Sequence, residues 1–189
     1  ALALLLSGMA CQVMAQQDPS LVGWWRLDES GGATAIAASG RGNNASLGGS
    51  AAHEPGLYGG GVYCDGTEAY VAIPGILTPT CTLAFWFKPD WSGTSASDYR
   101  LFDASAGAVY FFIGKGANHA DITPQDFGFY FEDGADTDWQ GIEIVAAGNI
   151  IAATWYHVAV TWQFGGGVAI LYLNGKEIAR GTNLGAFPS

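Results

Sequence analysis

Apolar and polar residues alternate in short bursts along this chain, and no long stretch repeats with the 3.6-residue period of a helix. The clearest bursts, Trp155–Trp162 (WYHVAVTW) and Val168–Leu173 (VAILYL), predict strands. Asn174-Gly175 then predicts a two-residue hairpin turn into a returning strand over Lys176–Ala179, because Asn-Gly tolerates the positive φ of a type I′ turn. Cys81–Lys88 (CTLAFWFK) is a further strand, stopped by Pro89. Leu21–Leu27 (LVGWWRL) reads as the first strand, with one of Trp24 and Trp25 in the core and the other on the opposite face. Shorter candidates lie at Ala33–Ile36, Asn44–Leu47, Gly60–Cys64 and Tyr70–Ile73. The last two flank Asp65-Gly66-Thr67-Glu68, a hairpin signal. Arg100–Asp103, Val109–Gly114 and Asp126–Glu132 follow, the last with Phe127, Phe129 and Phe131 on one face and Gly128 and Tyr130 on the other. After an acidic loop, Asp133–Trp139, the segment Gly141–Ala147 returns as a strand. Strands at intervals of about ten residues, separated by turn signals, predict an all-β sandwich or barrel.

Composition agrees. The 28 glycines, seven tryptophans, eight tyrosines and ten phenylalanines suit many short strands and tight turns. With nearly half its residues hydrophobic, the chain is expected to form a packed globule rather than a disordered one. Seven basic residues against seventeen acidic ones give a net charge of −10. That argues against nucleic acid and anionic membrane surfaces, which need clustered Lys and Arg.

The N-terminus changes the expected compartment. Ala1–Leu6 is apolar, and Val13-Met14-Ala15-Gln16 offers small residues for cleavage after Ala15, as in a secretory signal. Residues 1–15 are therefore read as a signal peptide truncated at its start, 16–20 as a lead-in and 21–189 as one domain. The apolar run is too short to span a bilayer. A rival reading makes Cys11 a lipoprotein attachment site, after Gly8-Met9-Ala10. Either way the chain is expected outside the cytoplasm, secreted or at the cell surface. There Cys64 and Cys81 could bond, closing a loop worth about 3 kcal/mol, or remain free thiols packed as small hydrophobes.

Six segments carry a family resemblance: Leu21–Gly32 (LVGWWRLDESGG), Ser39–Leu47 (SGRGNNASL), Gly59–Val71 (GGGVYCDGTEAYV), Leu83–Pro89 (LAFWFKP), Trp155–Thr161 (WYHVAVT) and Leu171–Gly175 (LYLNG). In this order they resemble the laminin-G-like, concanavalin-A-like lectin/glucanase superfamily. The resemblance implies an antiparallel jelly-roll β-sandwich. It also implies a further closing strand after the Asn-Gly hairpin, which nothing after Gly181 matches, so the domain is expected to be incomplete at its C-terminus. Function is left open, because this fold hosts lectins, adhesion modules and glycosidases.

Hydrolases of this fold carry Glu-x-Asp-x-x-Glu on one strand, with two carboxylates as nucleophile and acid. Gly141–Ala147 offers only Glu143, and the neighbours Glu132 and Asp133 point to opposite faces. His53 and His119 lie in loops, and His157 sits mid-strand where the family places a structural histidine. No nucleophile elbow, phosphate loop or zinc motif occurs. The expectation is a non-catalytic module that recognises a glycan or an extracellular protein partner. A structural or adhesion spacer, or an accessory domain of a polysaccharide-degrading enzyme, is the alternative. Trp91, Tyr99 and Trp139 in polar loops are the candidate sugar-stacking rings, Trp139 foremost because Asp138 and Gln140 flank it. The resemblance also implies a calcium ion, with Asp28 beside the Ser39–Asn44 loop as one candidate ligand set. Ala37 stands where relatives often carry Asp. Asp133, Asp136 and Asp138 form the second candidate set.

Overall fold

The computed structural model describes residues 18–107, 109–116, 126–132, 140–145 and 150–188. Among them there are thirteen strands and no helix, and every strand pairing is antiparallel. The chain forms two compact units, residues 1–76 and 77–189.

The first unit holds β1 (Thr34–Ala35), β2 (Ala45–Gly48), β3 (Ala52–Pro55), β4 (Gly60–Tyr63) and β5 (Tyr70–Ala72). They form one sheet in the order β1-β2-β5 and the ribbon β3-β4. The hairpin expected between residues 60–64 and 70–73 does not form, since β4 pairs with β3 and β5 with β2. The Asp65 carboxylate explains the difference: it accepts the backbone N–H groups of Thr67, Glu68 and Ala69 and the Ser50 hydroxyl, folding the intervening loop on itself. Leu21–Leu27 is not a strand either. Among the described residues its one ladder contact is the Trp25–Ala37 bridge. Side chains take up its carbonyls instead: Asn43 Nδ2 donates to Val22 at 2.7 Å and Arg41 Nε to Leu21 at 3.1 Å. Trp24 is half exposed, whereas Trp25 is partly buried and donates its indole N–H to the Asn43 carbonyl.

The second unit is a sandwich. One sheet runs β10-β9-β8-β7 and the other β13-β12-β11-β6. Their spans are β6 (Thr80–Phe87), β7 (Tyr99–Asp103), β8 (Tyr110–Lys115), β9 (Asp126–Glu132), β10 (Gln140–Val145), β11 (Tyr156–Gln163), β12 (Val168–Leu173) and β13 (Lys176–Thr182). Aromatic rings from the two inner faces interlock. Trp162 of β11 lies 5.3 Å from Phe111 of β8 and 5.7 Å from Phe129 of β9, and Phe87 of β6 stacks on Phe127 at 6.2 Å. Trp162 also donates its indole N–H to the Thr78 carbonyl at 2.9 Å, so its one polar atom is satisfied inside the core. The alternation read from β6, β11 and β12 now has its physical consequence. Inward residues such as Val158, Val160 and Leu171 are fully buried, while Thr82, Ala84 and Trp86 face solvent.

Candidate functional site

Period two fixes what the outer face of the second sheet displays. On β6 the outward side chains are Thr80, Thr82, Ala84 and Trp86; on β11 they are His157, Ala159, Thr161 and Gln163. Register then aligns them across the sheet. Trp86 opposes His157, and Ala84 opposes Ala159, which in turn opposes Tyr172 of β12. Thr82, Thr161 and Ile170 form the adjacent row.

At the Trp86 end this face dips into a surface depression lined by Trp86, Trp155, His157, Asn174 and Gly175. Trp86 is 44% exposed, a large amount for a tryptophan on a strand. Its ring meets the His157 imidazole edge-on at 5.1 Å. The exposed Lys88 places its ammonium 5.4 Å from the centre of the Trp155 ring. The β12–β13 turn supplies the far wall. Asn174 and Gly175 sit at φ of 52° and 76°, as the Asn-Gly pair predicted. Asn174 Oδ1 accepts the His157 backbone N–H at 2.9 Å, and the Asn174 N–H donates to the His157 carbonyl at 2.7 Å. Among the described residues, the His157 ring nitrogens, the Trp155 indole N–H and the Asn174 side-chain NH₂ make no hydrogen bond to the protein. Among the described residues, no carboxylate lines the depression.

The described residues among those singled out from sequence fall elsewhere. Trp91 and Tyr99 do come together, but by stacking on each other at 4.7 Å, with Trp91 packed against the core. Beneath them Lys115 is wholly buried, donates to the carbonyls of Ser95 and Ser97, and lies 5.7 Å from the Tyr99 ring. Burial pushes the Lys115 ammonium below its ordinary pKa, against the opposing pull of Tyr99 and Asp98. Trp139, Asp133, Asp136 and Asp138 lie outside the described residues, as do Cys11 and the signal segment. Asp28 is engaged structurally: one carboxylate oxygen accepts the Gly60 N–H at 2.8 Å and the other meets Arg26 at 2.6 Å. The loop beside it is engaged too, with Asn43 on the Val22 carbonyl and Asn44 Oδ1 accepting the Ala37 N–H. Among the described residues no three His, Cys, Asp or Glu side chains gather as a cation site.

Cys64 and Cys81 are both free thiols in this structure, the second of the two alternatives the sequence left open. Cys64 follows β4 in the first unit, whereas Cys81 lies within β6 of the second, opposite Trp162. Burial and the neighbouring Asp65 charge raise the Cys64 pKa, which disfavours the reactive thiolate.

Sequence reasoning missed the Trp86 depression. The signal was a lone tryptophan in phase with Thr82 and Ala84, on the face opposite Leu83, Phe85 and Phe87.

Comparison with known proteins now decides the family. The family model described as "Concanavalin A-like lectin/glucanases superfamily" matches residues 65–189. The chain belongs to this superfamily. Solved structures share the fold. Domain 4 of AbnA, an extracellular arabinanase from Geobacillus stearothermophilus solved with arabinotriose, matches at TM-score 0.58 and 17% identity, over 78% of this chain and 69% of that one. An S-layer domain-containing protein from Clostridium thermocellum matches at TM-score 0.51 and 23% identity, over 87% and 73% of the two chains. The botulinum neurotoxin serotype D binding domain matches at TM-score 0.62 and 11% identity, over 82% of this chain and 38% of that one. At these identities the likeness is one of fold alone. No curated protein matches the chain. Among the described residues of this concanavalin A-like chain, no helix is long and apolar enough to cross a membrane.

Proposed function

We propose that this chain is a non-catalytic carbohydrate-recognition module of a secreted or surface protein, and that it holds its glycan in the Trp86–Trp155 depression. One observation carries the reading: a half-exposed tryptophan face stands beside groups of Trp155, His157 and Asn174 that make no hydrogen bond among the described residues. A sugar presents an apolar ring face edged with hydroxyls. A flat aromatic surface flanked by unused donors and acceptors matches both parts. Arabinotriose bound to the arabinanase domain supports the ligand class for this fold.

The reading of binding without turnover is supported by the described lining, which holds no carboxylate, whereas glycosidic cleavage requires a pair. Export is supported by the apolar N-terminal run and by neighbours named as an extracellular arabinanase and an S-layer domain protein. Calcium enters this proposal through Asp133, Asp136 and Asp138, since the Asp28 carboxylate already holds the Gly60 N–H and the Arg26 guanidinium. A melting temperature that rises from chelator to millimolar calcium tests that part; an unchanged melt removes it.

The main test is affinity electrophoresis and calorimetry on a panel of soluble glycans. Trp86→Ala should weaken binding by about tenfold or more. Trp24→Ala, a half-exposed tryptophan of the first unit, should leave it unchanged. Absence of binding to every glycan, or equal loss in both variants, would remove the reading.

A further inference from the structure

The depression is one end of a longer surface. β6, β11 and β12 contain no Asp, Glu, Lys or Arg at any position, although the chain carries 24 such residues. A solvated sheet face ordinarily alternates charged and polar side chains outward. Here the middle of the face is small, Ala84 beside Ala159, and hydroxyls border it at Thr82 and Thr161. Beyond the alanines stands a second aromatic, Tyr172, only partly buried and with no hydrogen bond on its hydroxyl among the described residues. The first charges beyond Tyr172 lie on β13, where Glu177 and Arg180 neutralise each other through two hydrogen bonds of 2.8 Å.

Register sets the distance between the two rings. Tyr172 lies two strands across and two residues along from Trp86, so their Cα atoms are about 12 Å apart. A sugar ring with its glycosidic link extends roughly one inter-strand spacing, about 5 Å, so the span between the aromatics matches about three consecutive units. The low alanine floor leaves room for the middle unit, and the flanking threonines offer hydroxyls to it. Resting on the recognition reading above, we infer that this face is a platform for an internal stretch of a neutral polysaccharide. The chain lies diagonally across the sheet from Trp86 to Tyr172. Charge supports the neutral class, because β6, β11 and β12 carry no charged side chain between the two aromatics; the nearest charges flank the path, Lys88 over the Trp155 ring at one end and the mutually neutralising Glu177–Arg180 pair beside Tyr172 at the other.

The experiment titrates the whole chain with neutral oligosaccharides of the arabinan, xylan, β-glucan and mannan series, from the monosaccharide upward, against oligogalacturonates as the acidic comparison. Affinity should climb by about tenfold as the ligand lengthens to about three units, then level off. Tyr172→Ala should abolish that climb while leaving the shortest ligands within about twofold of wild type. Ala84→Arg, at an exposed position where folding tolerates a long side chain, should do the same by occupying the middle of the platform. Length-independent binding that still needs Trp86 overturns the platform and spares the recognition site. Tighter binding of oligogalacturonates overturns the neutral assignment. Failure of every series to bind overturns the platform and the reading beneath it together.

Discussion

At the scale of single residues, the tryptophans divide by what their neighbours allow. Trp162 is locked between both sheets and hydrogen-bonded to Thr78, so it belongs to stability. Trp162→Ala should cost about 3–5 kcal/mol, and Trp162→Phe less, chiefly the unsatisfied Thr78 carbonyl; chemical denaturation at equilibrium reads both. Trp91 lay in a polar loop and drew attention as a sugar-stacking ring, yet Tyr99 occupies its face. Trp86 sat inside a strand and drew none, yet it presents its ring to solvent. Loop placement was visible in the sequence; the partner that covers a ring was not, because Tyr99 reaches Trp91 only through tertiary folding. Asp65 shows the same limit from the polar side. Its hydrogen bonds to Ser50, Thr67 and Ala69 hold its carboxyl well below the usual range. A lowered folded pKa means stability that is complete above about pH 4 and lost as the pH falls through the folded value. Asp65→Ala should therefore lower the melting temperature at pH 7, and the gap to wild type should close at strongly acidic pH. Paired melts across that range check it.

At the scale of elements, legibility followed the strength of the alternation. β9 and β12 match the expected spans, and β6 and β11 shift by one residue, because their inward residues face one continuous aromatic core. The Asn-Gly turn was equally readable, since only a narrow set of residues adopts two successive positive φ values. Gly175→Val should cost about 1–2 kcal/mol by forcing a β-branched residue to φ 76°. Since Gly175 also lines the depression, the substitution should weaken glycan binding as well. A melt and a titration on one sample measure both effects. Pairing partners in the first unit were not readable. Its strands are two to four residues long, and there the hydrogen bonds of Asp65, Asn43 and Arg41 override the local pattern.

At the scale of the whole molecule, the two units are built on different terms. Among the described residues, fully buried aromatic and branched side chains all belong to residues 77–189, whereas the buried hydrophobics of residues 18–76 are Ala35, Ala37 and Ala45. Burial of a large apolar side chain contributes about 1.5–3 kcal/mol, and an alanine far less, so the second unit holds the stronger core. It also holds every residue of the Trp86–Tyr172 platform, since β6, β11, β12 and β13 all lie beyond residue 77. These two facts make a joint prediction about fragments. Residues 77–189 produced alone should melt cooperatively, keep near-ultraviolet aromatic signals, and bind glycan within about twofold of the full chain. Residues 18–76 alone should melt without cooperativity and bind none, because three alanines cannot offset the conformational entropy of ordering that length of backbone. A folded 77–189 fragment with no affinity would mean that the ligand-contacting surface includes the first unit, and Trp86 would lose its place as the anchor.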